Sequence, residues 1–153
     1  MISPIVNSMN ISIQSLRVER IRKNDIGINI LRDMDRICFP EDSPPLFYMS
    51  YNLWWIVYNK ENPIAYAGAR KRTKYLEFIR VGVLPEHRGK GIQKLLIQER
   101  TNYAKEHSKI GCITYTSTEN IRSIYNLVDF GFRLWKPTGH YKVEKFLNWK
   151  LDI

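Results

Sequence analysis

Two periods in the placement of apolar and polar residues divide the chain. Alternation predicts half-buried strands, and recurrence every three or four positions predicts amphipathic helices. Residues 1–12 follow neither period and read as a short arm, whereas residues 15–21 alternate and predict a first strand. From 25 to 38, Ile28, Leu31, Met34 or Asp35, and Ile37 recur at near-helical spacing. Pro40 and the pair Pro44-Pro45 end that helix, because proline has no amide hydrogen and blocks the preceding turn. Residues 53–58, 63–72 and 75–83 are rich in β-branched and aromatic side chains and predict a meander with a turn at 59–62. A second helix follows from Ile92, Leu95, Leu96, Tyr103 and Ala104 on one side, with Gln93, Lys94, Gln98 and Lys105 on the other. Gly111 breaks this pattern before a strand at 112–116. Ser117 or Thr118 is placed to cap a third helix carrying Ile121, Ile124 and Val128, with Gly131 at its C-terminal end. Residues 132–135 and 146–151 predict closing strands, separated by a loop with Pro137 and Gly139. The pattern predicts one α+β sheet domain over residues 1–153, without repeats or low-complexity linkers.

Composition narrows the class of protein. A hydrophobic fraction of 44% and a charged fraction of 25% are those of a soluble globular chain. No apolar run reaches the ~20 residues of a membrane span, and the first residues lack the cationic-then-apolar order of a signal peptide. Cys38 and Cys112 are too few and too far apart for a disulfide framework, so both are expected to be buried small hydrophobes in a reducing, cytoplasmic setting. His87, His107 and His140 have no metal-ligand spacing, and no metal is expected. The net charge of +9 concentrates anions near the surface. Its densest cluster, Arg70-Lys71-Arg72-Thr73-Lys74, falls on the turn between two strands and reads as a solvated hairpin tip. No helix interleaves cations with aromatics, so nucleic acid is not an expected partner.

One stretch carries candidate chemistry. The strand ending at Val83 leads through Arg88-Gly89-Lys90-Gly91 into the second helix. A helix N-terminus offers free N–H groups and a positive dipole end, and glycines let a phosphate approach the backbone. This order reads either as a pyrophosphate cradle or as a glycine turn before an ordinary surface helix.

Arg88 and Gly91 resemble the GCN5-related N-acetyltransferase family, whose acetyl-CoA loop follows the pattern Gln/Arg-x-x-Gly-x-Gly/Ala. The chain departs from it at the last position, where Gln93 stands. A second block is similar in spacing: Asn120-Ile-Arg-Ser123 followed by Phe130-Gly131-Phe132, with Leu127 where the family usually has Tyr. Weaker similarity runs from Cys38 through Trp54-Trp55 to the strand at 65–69, so the resemblance covers nearly the whole chain. It implies a mixed, mainly antiparallel central sheet flanked by helices, with a V-shaped splay between the two central strands. It also implies acetyl-CoA as co-substrate, bound by Val81, Val83, Arg88, Gly89, Lys90, Gly91, Ile92, Gln93, Asn120 and Ser123. A homodimer is compatible with it.

Acetyl transfer to a primary amine needs a neutral nitrogen, hence a base, and a donor to the departing thiolate helps. The resemblance points to Glu77 as base, expected from strand alternation to share a face with Val83. With Leu127 at the usual Tyr place, Tyr115 and Tyr141 are the candidate acids. Tyr125 is two helical positions from Leu127 and points elsewhere. Of Trp54 and Trp55, one is expected in the core and the other beside Tyr48 and Tyr51 in an acceptor pocket, with Glu41 and Asp42 attracting the amine's charge. The alternatives are a non-catalytic acyl-CoA-binding or interaction domain for Leu127 and Gln93, and a Glu77 that merely pairs with Arg70 or Arg72.

Overall fold

The computed structural model describes residues 11–21, 26–42, 49 and 52–153. Among them, seven strands form one sheet in the order β1-β2-β3-β4-β5-β7-β6. The strands are β1 (Arg17–Arg20), β2 (Leu53–Asn59), β3 (Asn62–Lys71), β4 (Tyr75–Val83), β5 (Gly111–Thr116), β6 (Arg133–Leu134) and β7 (Leu147–Asp152). The helices are α1 (Ile26–Cys38), α2 (Ile92–Glu106) and α3 (Ile121–Phe130). This is the mixed α+β architecture that the hydrophobic pattern and the resemblance imply. Every strand pair is antiparallel except β4–β5.

The parallel pair produces the splay. Backbone pairing holds only from Tyr75–Gly111 to Glu77–Ile113. Further on, the Thr114 hydroxyl donates to the Phe78 carbonyl at 3.1 Å. β5 meanwhile stays paired with β7 along its whole length, so it cannot follow β4. The second half of β4 therefore presents unpaired backbone groups to a gap, and a buried polar edge of this kind needs a partner.

A bulge in β4 sets which side chains meet that gap. Ala67 faces Val81 and Gly68 faces Ile79, which leaves Arg80 as an extra residue on β4. Leu76, Phe78, Val81 and Val83 pack on the α2 and α3 side, with Ile92, Leu96, Ile97 and Leu127. Ile79 packs on the α1 side with Leu31, Met34 and Tyr66. Glu77, between Leu76 and Phe78, thus lies on the opposite face from Val83. The common face expected from simple alternation is lost because the bulge inserts one residue.

Several helix faces also differ from the sequence expectation. α1 buries Leu31, Met34 and Asp35, while Ile37 is exposed. α3 buries Leu127 and leaves Ile121 68% and Val128 53% exposed, so the helix is turned relative to its predicted apolar stripe. Its cap is Asn120, whose side chain accepts from the Ser123 amide at 3.3 Å. Ser117 instead accepts from the Glu119 amide. Trp54 and Trp55 do face opposite sides, but each is buried in a core, and neither is left to line a pocket.

Candidate functional site

The gap between β4 and β5 opens into a cleft of about 610 Å³ at the start of α2. Val81, Gly82 and Val83 form one wall, Arg88, Gly89 and Gly91 to Gln93 the second, and Asn120 and Ser123 the third, whereas the expected Lys90 is not part of the lining. Gly89 and Gly91 have φ of 76° and 79°, a left-handed conformation that side chains with a Cβ disfavour. Gly91 is the N-cap of α2 and offers no side-chain cap, so the first amides of a 15-residue helix face the cleft with the positive dipole end. The Arg88 Nε donates to the Val83 carbonyl at 2.9 Å, which folds this cation back over the end of β4. The arrangement suits a pyrophosphate.

Gln93, the departure from the family pattern, is turned toward α3. Its amide donates to the Ser123 hydroxyl at 3.2 Å, and its carbonyl oxygen accepts from Asn126 at 2.8 Å. It ties the two helices together and leaves the loop glycines free. Cys38 is half-buried: it packs against the α1-side core and also lines this cleft, and burial pushes its thiol up. Cys112 is fully buried, as expected.

A deeper hollow of about 300 Å³ continues inward between the strands. Two arginines line it, and neither was singled out in the sequence. Arg80, the bulge residue, reaches the buried Asp35 of α1 with bonds of 2.5 and 3.1 Å. It also meets the Asp42 carboxylate at 3.1 Å and the Asp42 carbonyl. Burial opposes its charge, but these hydrogen bonds outweigh burial and raise its pKa. The Tyr66 hydroxyl donates to Asp35 at 2.5 Å, and burial followed by that bond raises the phenol's pKa. Arg100 enters from α2 and is 3% exposed. Its signal was legible: Ile92, Leu96, Arg100 and Ala104 stand four apart, so this cation interrupts an apolar series.

The three candidate catalytic residues stand together, away from the mouth of the cleft. Glu77, Tyr115 and Tyr141 line a small hollow on the joint between β4 and β5. Glu77 is 7% exposed and accepts from Arg72 at 2.6 Å, with Arg70 at 3.7 Å. The pairing across the β3–β4 turn thus forms. Tyr115 packs edge-on against Phe146, and Tyr141 against Tyr75. Tyr115 also lines the deeper hollow, which makes it the one candidate shared by both cavities. Tyr125 is exposed on the outer face of α3. Tyr48 and Tyr51 lie outside the described residues, and Glu41 is exposed. Among the described residues, no cluster of three His, Cys, Asp or Glu could hold a metal, and no helix is long and apolar enough to cross a membrane.

Known proteins share this fold. A family model described as "Acetyltransferase (GNAT) family" matches residues 27–132. No curated protein sequence matches the chain significantly. Among solved structures, an IAA acetyltransferase from Bacillus cereus superposes with a TM-score of 0.73 at 18% identity, covering 91% of this chain and 100% of that one. The ribosomal-protein-S18-alanine N-acetyltransferase of Escherichia coli gives 0.75 at 9% identity, over 90% and 94%. A GNAT family acetyltransferase from Elizabethkingia anophelis, solved with acetyl-CoA bound, gives 0.74 at 12% identity, over 91% and 99%. At these identities the likeness is one of fold.

Proposed function

Because the chain belongs to the acetyltransferase (GNAT) family, with acetyl-CoA as its co-substrate, we propose that it transfers acetyl to a primary amine by direct attack on the bound thioester. The observation that carries this reading is the unpaired second half of β4 beside the uncapped start of α2. The amides of Arg88 to Ile92 would hold the pyrophosphate, and Asn120 and Ser123 would flank it. The pantetheine arm would pair with the free edge of β4 at Val81 and Val83. The thioester then lies in the deeper hollow.

In this reading Glu77 takes the amine proton through water, since it stands off the mouth of the cleft on the α1 side. Tyr115, which lines both hollows, is the better placed of the two tyrosines to meet the leaving thiolate. Tyr141 closes the acceptor side. Asp42 is held by Arg80, which leaves Glu41 as the freer carboxylate for drawing in a cationic amine. A screen of small amines and N-terminal peptides, reading free CoA, tests the proposal. Release of CoA no faster than without the protein, whatever the amine, would sink it. That result would favour a non-catalytic acyl-CoA-binding domain, the reading supported by Leu127 and by the ion pairs that hold Glu77.

A further inference from the structure

Arg100 is a buried cation that, among the described residues, pairs with no carboxylate. Its Nε donates to the Leu96 carbonyl at 3.1 Å, and one terminal nitrogen to the Gly68 and Ile79 carbonyls at 3.1 and 3.4 Å. The guanidinium lies over the Phe78 ring, 4.0 Å from its centroid. Among the described residues, no Asp or Glu forms an ion pair with it. Carbonyl oxygens satisfy N–H groups but carry no net charge, and a desolvated ion without an opposite charge is destabilising. Arg80, lining the same hollow, is neutralised by Asp35 and Asp42. Desolvation pushes the Arg100 guanidinium down to about 9, so it is still charged at neutral pH.

Its place along α2 says what ligand group it would meet. Arg100 stands seven residues beyond Gln93, so it lies about 10 Å further down the helix axis from the phosphate loop. There it meets the Gly68 and Ile79 carbonyls at the β3–β4 bulge, and it lines the hollow that Val81 of the free half of β4 also lines. Phosphates held at the start of α2 are too far away to serve as its counter-ion. The group that arrives at this depth is the acyl end of a thioester whose arm lies along β4. Phe78, Ile97 and Leu127 give the hollow apolar walls suited to a methylene chain.

We propose that this hollow accepts acyl-CoA donors whose short acyl chain ends in a carboxylate, with Arg100 as the counter-ion that selects them. The inference rests on the reading of the cleft as an acyl-CoA site. In the transfer, the amine nitrogen bonds to the thioester carbonyl carbon, and the C–S bond breaks. CoA leaves as thiolate and takes up one proton, the amine gives up one, and the distal carboxylate is unchanged throughout.

The test compares ligands on the full chain by calorimetry: CoA, acetyl-CoA, succinyl-CoA and the neutral amide analogue of succinyl-CoA. Succinyl-CoA should bind about tenfold or more tightly than its amide analogue, because only the former supplies an anion to the buried cation. In Arg100→Met the ratio of succinyl-CoA to acetyl-CoA affinity should fall by about tenfold, and Arg100→Lys should restore part of it. Equal binding of succinyl-CoA and its amide by the wild-type protein overturns the proposal, even if no Arg100 variant folds. A loss in Arg100→Met that is equal for both donors also overturns it, since the cation would then serve the thiolate common to both. Failure of CoA itself to bind would instead bring down the acyl-CoA reading of the cleft.

Discussion

The two faces of the central sheet treat buried charge differently. On the α1 face, each buried acid has its cation: Asp35 holds Arg80, and Glu77 holds Arg72 with Arg70 nearby. On the α2 face, Arg100 is held, among the described residues, by carbonyls and the Phe78 ring, and the helix N-terminus at Gly91 offers amides without a side-chain cap. Among the described residues, one face pairs its buried charges within the chain, while the other leaves uncapped helix amides at the mouth of the cleft and an unpaired guanidinium in the adjoining hollow. The proposed donor, anionic at both ends, would match that second face.

The largest expected effect breaks the closed face. Asp35→Ala leaves Arg80 and the Tyr66 hydroxyl without their buried acceptor and should cost about 3–5 kcal/mol of stability, as removal of one partner of a buried pair does. The midpoint of a urea titration reads it. Arg100→Met should cost less than about 2 kcal/mol in the same titration, because it loses hydrogen bonds but also removes an uncompensated charge. Equal losses for the two variants would mean that the faces do not differ in the way described.

Next comes the open face. Gly91→Glu places a carboxylate in the cradle at a φ of 79°. It should weaken CoA binding by about 100-fold or more, with about 1–2 kcal/mol of backbone strain. Calorimetry on a protein with an unchanged circular dichroism spectrum checks this, and unaltered affinity would place the phosphates elsewhere. Of comparable size is the kinetic effect of Glu77→Gln, expected to lower turnover by about 10²-fold at neutral pH and by less at alkaline pH, where free amine is more abundant. A deficit that stays constant across pH would assign Glu77 to the ion pair with Arg72 and not to proton transfer.

The smallest effect concerns the thiols. Burial raises Cys38 and pushes Cys112 up to about 11, so both are thiols at neutral pH and react slowly with iodoacetamide. Ionisation in the unfolded state begins near 9.0, below the folded value for Cys112, so this group lowers stability as pH rises from 9.0 to about 11. Cys38 lines the cleft mouth and Cys112 is fully buried, so CoA should slow labelling of Cys38 alone. Equal protection of the two would point to global stabilisation.

Much of this was written in local order. The alternation at 75–83, the glycines at 89 and 91 and the apolar spacing of α2 are properties of neighbouring residues, and they suffice to predict strand, turn and helix. The family pattern at Arg88 and Gly91, with Asn120 and Gly131 behind it, was equally legible because it is spaced along one chain direction. The side of β4 that holds Glu77 was not, because it depends on a single inserted residue, Arg80, visible only in the pairing of β3 with β4. Nor was the orientation of α3. Ile121 and Val128 advertise an apolar stripe, but packing against α2 and the Gln93 bridge turn Leu127 inward. The counter-ions were decided last. A sequence shows that Arg80, Arg100, Asp35 and Glu77 exist, but Coulomb attraction and desolvation act across space. Only the packed sheet shows that Asp35 lies against Arg80, while Arg100 lines the hollow and, among the described residues, pairs with no acid.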